Sequence, residues 1–154
     1  MTAPQTAIEP SAASSSVEVV AIPPGRVWVV AKIAAPLIDK ATQRTDRVTT
    51  GDLIEACRLS QKQLWIVWDT DVYEALAAYV TELRTYNGTG VLACRVVALG
   101  GKDLKRWKAL AIASLEAYAR AEDCDVIDMV GRPGWGRIFP DYRETERVYT
   151  KELA

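Results

Sequence analysis

Chemistry in this chain begins at one junction. An apolar, strand-like run, Val96-Val97-Ala98-Leu99, meets a predicted Gly100-Gly101 turn and then Lys102-Asp103-Leu104, where a long apolar helix is predicted to start. A helix start exposes unpaired N–H groups and the positive end of the helix dipole, so such a junction can hold an anion. Lys102, Lys105, Arg106 and Lys108 crowd its first turns. They read either as a phosphate-attracting cluster or as the solvated start of a helix that is otherwise buried. Asp103 opposes the anion twice, because it places a negative charge there and is a good N-cap for the same N–H groups.

Other catalytic chemistries find little support. The chain has no histidine, which removes the commonest general base and excludes Ser-His and Cys-His nucleophiles. Cys57, Cys94 and Cys124 are odd in number, far apart and outside any CxxC pair, so they read as small buried hydrophobes rather than metal ligands or disulfides. No metal site is expected. A formal net charge of −1 argues against a dedicated nucleic-acid binder. No apolar run approaches the ~18 residues of a membrane span, and residues 1–16 have neither a basic residue nor an apolar stretch of the signal-peptide kind. The expectation is a reducing, cytoplasmic setting.

With 154 residues and 49% hydrophobic content, the chain can build one core. Residues 1–22 read as an N-terminal arm that is flexible or ordered by a partner, rich in Ala, Ser, Thr and Pro at its start. Residues 23–154 read as a single domain. Within the arm, Val17-Glu18-Val19-Val20 has the pattern of a short edge strand. From Val27 to Ala41 the apolar positions step by three and four, the helical period, with Pro36 inside. Thr50 is the predicted N-cap of a short helix over 51–59. Leu64-Trp65-Ile66-Val67-Trp68 is a compact strand whose two tryptophans should face opposite sides.

Residues 75–85 and 91–97 are predicted as hairpin arms around a two-residue Asn87-Gly88 turn. The clearest helix spans 102–122, with Leu104, Trp107, Ala111, Leu115 and Tyr118 on one stripe. A strand over 125–130, a turn at Gly131-Arg132-Pro133-Gly134, a brief helix over 135–139 and a last strand over 143–153 complete the order. Trp107 belongs to the apolar stripe, and Trp28 and Trp135 are also expected in the core.

This order is α/β (α+β): two helices, a β-meander, a long central helix, then strand, short helix and strand. It resembles the GNAT (Gcn5-related N-acetyltransferase) fold. The ending Gly131-Arg132-Pro133-Gly134-Trp135-Gly136-Arg137, Asp141-Tyr142-Arg143, Lys151-Glu152-Leu153 is similar to small GNAT-like proteins of tailed phages and prophages. The resemblance implies that acyl-CoA would insert beside the strand that precedes the long helix. Its pyrophosphate would lie on a loop of pattern [Q/R]-x-x-G-x-[G/A]. The corresponding residues here are Leu99, Gly100, Gly101, Lys102, Asp103 and Leu104, with adjacent glycines and no Arg or Gln in the first place. The resemblance further implies a Glu base and a Tyr acid. Glu82 and Tyr142 are the candidates, although the short helix itself lacks a Tyr.

These departures favour a non-catalytic phage-type protein, a virion or assembly component contacting other phage structural proteins through its arm. Such a protein would use no cofactor, be oligomeric or part of an assembly, and reside in the virion or host cytoplasm. The alternative is an acetyl-CoA-dependent N-acetyltransferase acting on an amine of a protein or small molecule.

Overall fold

The computed structural model describes residues 16–154; the arm residues before them lie outside the described part. In chain order the elements are β1 (Val17–Ile22), a 3-10 turn (Pro24–Arg26), α1 (Val27–Thr42), α2 (Thr50–Arg58), β2 (Gln63–Asp69), β3 (Glu74–Tyr86), β4 (Val91–Gly101), α3 (Leu104–Ala121), β5 (Val126–Met129) and α4 (Trp135–Ile138). The strands form one sheet in the order β1-β2-β3-β4-β5. The first three pairings are antiparallel, and β4 and β5 are parallel with α3 as their crossover. The mixed α+β class expected from the sequence is therefore the observed one. Val17–Ile22, assigned above to the arm, is the edge strand of the sheet.

Helices cover both faces, so the middle strands are apolar on both sides, as β2's unbroken Leu-Trp-Ile-Val-Trp run anticipates. On one face, Leu64 and Ile66 of β2, Ala78 and Val80 of β3 and Ala98 of β4 pack against Val27, Ala34 and Ile38 of α1 and Leu53, Ile54 and Cys57 of α2. On the other, Trp65, Val67, Ala77, Tyr79, Cys94 and Val96 pack against Trp107, Leu115 and Ala119 of α3. Trp65 and Trp68 do lie on opposite faces. Pro36 stays within α1 because it is on the exposed side, where the carbonyl it leaves unpaired (that of exposed Lys32) is open to water.

Four local expectations are corrected. The cap of α2 is Thr49, whose hydroxyl accepts from the Asp52 amide at 3.1 Å, so Thr50 is already helical. The β3–β4 loop has four residues, not two: Tyr86 pairs with Val91, and the Gly90 amide donates to the Tyr86 carbonyl at 2.8 Å. Its positive φ of 72° falls on Gly90, which relieves Asn87 and Gly88 of that conformation. No strand forms over 143–153. Val148, Tyr149 and Leu153 are exposed, and adjacent Val148 and Tyr149 would point to opposite sides of any strand, so neither face gains enough burial to order it. Finally, Trp28 is 64% exposed on α1 rather than in the core, and Trp135 is only half-buried.

Among the described residues no helix is long and apolar enough to cross a membrane.

Candidate functional site

The sheet is irregular at one place. Val80 pairs with Ala98 and Thr81 with Val96, so Val97 is an extra residue in β4, a bulge. β5 pairs with β4 only along Ala93 to Val96, and the last bond of the pairing is Val130 N–H to the Val96 carbonyl at 3.1 Å. Beyond the bulge β4 continues without β5. β5 is paired along its full length and ends at Met129, and an apolar cavity of about 20 Å³ lies beneath α3, lined among others by Tyr79, Leu99, Trp107, Met129 and Phe139.

The Gly-Gly pair is not a turn. Both glycines are in β4, opposite Ala78 and Ala77, with no positive φ. A Cβ on Gly100 would lie 1.8 Å from the Leu37 carbonyl oxygen, and one on Gly101 would lie 2.4 Å from the Ala77 Cβ. These glycines let α1 and β3 approach β4, so their primary role is packing.

The turn is Lys102-Asp103. The Lys102 amide donates to the Leu76 carbonyl at 2.8 Å, and the Lys102 carbonyl accepts from the Trp107 indole at 2.8 Å. Asp103 occupies the N-cap position in the left-handed region (φ 57°, ψ 43°), and its carboxylate makes no capping bond. The expected competition between Asp103 and an anion for the helix N–H groups is thus absent. The Leu104 and Lys105 amides have no acceptor among the described residues.

Most of the cations are engaged. Lys102 pairs with Glu74, whose carboxylate raises the ammonium pKa. Arg106 bonds Asp69 at 2.8 Å and Ser16 Oγ at 3.3 Å. That guanidinium holds the nearly buried Asp69 carboxyl below its ordinary range. Lys108 donates to the Ile138 carbonyl at 2.8 Å and lies 6.0 Å from the Phe139 ring centre. Only Lys105 is exposed without a partner among the described residues.

The α4 region closes the cavity. Phe139 is buried, flanked by Trp135 at 5.6 Å and Tyr142 at 5.9 Å between ring centres. The glycine-rich turn before it has a steric origin, since a Cβ on Gly131 would lie 2.1 Å from the Trp135 ring. Tyr142 is half-buried and its hydroxyl pKa is raised by that burial. Glu82 is elsewhere: it pairs with Lys62 and lies opposite Arg95, on the sheet face away from α3. The structure therefore does not bring Glu82 and Tyr142 together.

Two groups escaped sequence reasoning. Arg95 donates to the Tyr86 hydroxyl at 3.2 Å, and that hydroxyl donates to Asp128, giving a polar cluster on the face away from α3. Its signal was Arg95 interrupting an apolar strand. Tyr79, 3% exposed, stacks on Trp65 (5.7 Å, 8°), and its hydroxyl has no partner among the described residues. Within an apolar strand sequence it had no distinguishing signal.

Solved structures match this architecture over nearly the whole chain. A GNAT family acetyltransferase of Staphylococcus aureus superposes with a TM-score of 0.59 at 13% identity, over 90% of this chain and 100% of that one. An aminoglycoside acetyltransferase from an uncultured soil metagenomic sample gives 0.65 at 12%, over 91% and 99%. The ribosomal-protein-alanine N-acetyltransferase of Brucella melitensis gives 0.57 at 14%, over 90% and 99%. This chain has the GNAT fold. No family model matches its sequence, and no curated protein is similar to it in sequence. The strand before α3 and the segment Leu99 to Leu104 that leads from it into α3 are the positions at which the resemblance places acyl-CoA. The main-chain part fits that ligand: β4 runs on past the end of β5, and the Leu104 and Lys105 amides have no acceptor among the described residues. The cavity itself, at about 20 Å³, holds no more than a water-sized group while Phe139 is in place.

Proposed function

We propose that this GNAT-fold chain binds acyl-CoA where β4 runs past the end of β5 and transfers its acyl group to an amine, as an acetyl-CoA-dependent N-acyltransferase. The observation that carries this reading is the Val97 bulge leading to a helix start with unclaimed Leu104 and Lys105 amides. Main-chain N–H groups and the helix dipole suit a pyrophosphate, and Lys105 adds a mobile positive charge. When bound, the cofactor would supply an activated thioester carbonyl. The chain's own residues would then manage protons. Glu82 and Asp128 are carboxylates on the face away from α3, and Tyr142, its hydroxyl pKa raised by burial, has its ring against Phe139. Leu99, Gly100 and Gly101 at the end of β4, the Lys102-Asp103 turn and Leu104 at the start of α3 form the segment along which the ligand would be held. Titration calorimetry with acetyl-CoA tests the reading. Micromolar binding competed by CoA is expected, and no heat at millimolar ligand would refute it.

A second reading is favoured by the pairing of Lys102, Arg106 and Glu82 with Glu74, Asp69 and Lys62. In it the fold is non-catalytic, a phage virion or assembly component that contacts other structural proteins through the N-terminal arm. Its location would be the virion or the host cytoplasm. Absence of acetyl-CoA binding together with recovery of the protein in purified particles would establish it.

A further inference from the structure

Tyr79 poses a physical problem. Its side chain lines the cavity under α3, and its hydroxyl is buried with no hydrogen-bond partner among the described residues. Buried polar groups are nearly always paired, and an unpaired one is destabilising. The aromatic stack it belongs to shows that partners are supplied elsewhere: the indole of Trp65, stacked on Tyr79, donates to Thr81 Oγ1 at 3.0 Å. The rest of the cavity wall, Val96, Leu99, Met129 and Phe139 among it, is apolar except for Lys108, whose ammonium is taken by the Ile138 carbonyl. Desolvation raises the Tyr79 pKa, so this group is a donor and not a base.

Phe139 is the one large wall residue that comes from outside the sheet and α3. It follows a four-residue helix, and the chain on both sides of that helix has no regular structure. Apart from the Lys108 bond from α3 to the Ile138 carbonyl, what holds it is local: ring contacts with Trp135 and Tyr142, its N–H donating to the Trp135 carbonyl and its carbonyl accepting from the Tyr142 N–H. Displacing it breaks no sheet or long-helix hydrogen bond.

We propose that Tyr79 donates a hydrogen bond to a carbonyl of an acyl-pantetheine arm in this cavity, and that Phe139 is a plug which the arm must displace. This inference rests on the acyl-CoA reading above and adds to it the polar handle and the closing element. The carbonyl belongs either to the pantetheine amides, present in CoA and acetyl-CoA alike, or to the thioester, present in acetyl-CoA alone.

Calorimetric titrations of the wild type, Phe139→Ala, Tyr79→Phe and the double variant, each with acetyl-CoA and with CoA, test it. Phe139→Ala is expected to tighten binding roughly tenfold or more by removing the displacement step. Tyr79→Phe is expected to weaken it about five- to tenfold, the worth of one neutral hydrogen bond. Weakening for both ligands assigns the amides, and weakening for acetyl-CoA alone assigns the thioester. Unchanged affinity in Tyr79→Phe would overturn the handle, leaving a buried water as the hydroxyl's partner. Unchanged or weaker affinity in a folded Phe139→Ala would overturn the plug. If Phe139→Ala does not fold, Lys108→Met removes the clamp without opening the core. It should speed amide exchange over residues 134–142 and tighten binding, and failure of both effects overturns the plug. If the wild type is silent at millimolar acetyl-CoA, the acyl-CoA reading itself falls.

Discussion

Replacing Gly100 by alanine distinguishes a glycine kept for packing from one kept for a ligand. The added Cβ would lie 1.8 Å from the Leu37 carbonyl oxygen and 2.9 Å from its carbon. An ordinary carbon–oxygen contact is about 3.3 Å or more, so α1 must retreat by about 1.5 Å or β4 must bend by as much. Neither partner is a flexible side-chain tip. Retreat lifts Val27, Ala34 and Ile38, each fully buried, from the sheet. Inserting a methyl group into packed surroundings costs about 1–3 kcal/mol, and the main-chain nature of this contact sets the expectation near 3 kcal/mol. That is a large fraction of the ~5–15 kcal/mol that holds a domain together. For a domain of this size it lowers the melting temperature by roughly 6–12 °C.

Urea unfolding followed by tryptophan fluorescence, with a thermal melt by circular dichroism, measures the loss. Gly136→Ala is the control, because a Cβ there meets nothing within 4 Å, and its change should stay within about 0.5 kcal/mol. A Gly100→Ala protein as stable as the control would refute the seating of α1 on β4. If that stable variant had also lost acetyl-CoA binding, the glycine would be a ligand-contact residue instead.

Three further outcomes follow from the same contacts. Asp69 is held below its ordinary pKa chiefly by its hydrogen bond to Arg106, so its contribution is complete above the unfolded value near 3.9 and is lost as pH falls through the lower folded value. Asp69→Asn should therefore flatten the acid limb of a plot of urea midpoint against pH below about 4, and an unchanged slope would refute the pairing. Burial pushes the Cys57 thiol to about 11 and the Cys94 thiol to about 12; both favour folding until pH rises past the unfolded thiol value near 8.5. At pH 8 a thiol reagent should modify half-buried Cys124 first and the other two only on unfolding, which mass spectrometry of the labelled peptides reads directly. Trp107→Ala should cost about 3–5 kcal/mol, whereas Trp28→Ser, at a side chain 64% exposed, should be nearly neutral, and equal losses in urea unfolding would contradict the placement of both.

What the amino-acid pattern discloses here depends on how many neighbours a feature needs. The Leu64–Trp68 run, the period of α1 and the stripe of α3 report burial along one element, and each element stands where its pattern puts it. The last strand failed because a strand requires a partner edge, which alternation along residues 143–153 cannot reveal. Gly100-Gly101 reads as a turn in sequence because a glycine marks either a special φ or a close approach, and only the positions of Leu37 and Ala77 decide between them. The candidate site was the least legible part. Val97 is a bulge only relative to β3, and Tyr79 is an orphaned donor only because nothing polar happens to face it.

The same dependence explains how a GNAT fold persists at 13% identity or less in matches such as those with TM-scores of 0.59 and 0.65. A site built from main-chain N–H groups draws on atoms that every residue except proline possesses, so backbone angles carry it rather than side chains. Asp103 shows what such a constraint looks like in sequence. Left-handed backbone costs a non-glycine residue about 1–2 kcal/mol, with Asp among the more tolerant. Here Asp takes that conformation without gaining a cap in return, and Arg106 N–H bonds its carbonyl at 2.9 Å. A residue that adopts a costly angle and leaves the amides after it free is shaped by the loop's path and not by its own side chain. Asp103→Gly should therefore stabilise the fold while preserving any ligand binding at α3. Asp103→Ala should destabilise it, because alanine tolerates the left-handed region less well than Asp and offers no replacement contact. If Asp103→Ala melted above Asp103→Gly, the loop would not have the path described, and the free amides of Leu104 and Lys105 would lose their basis.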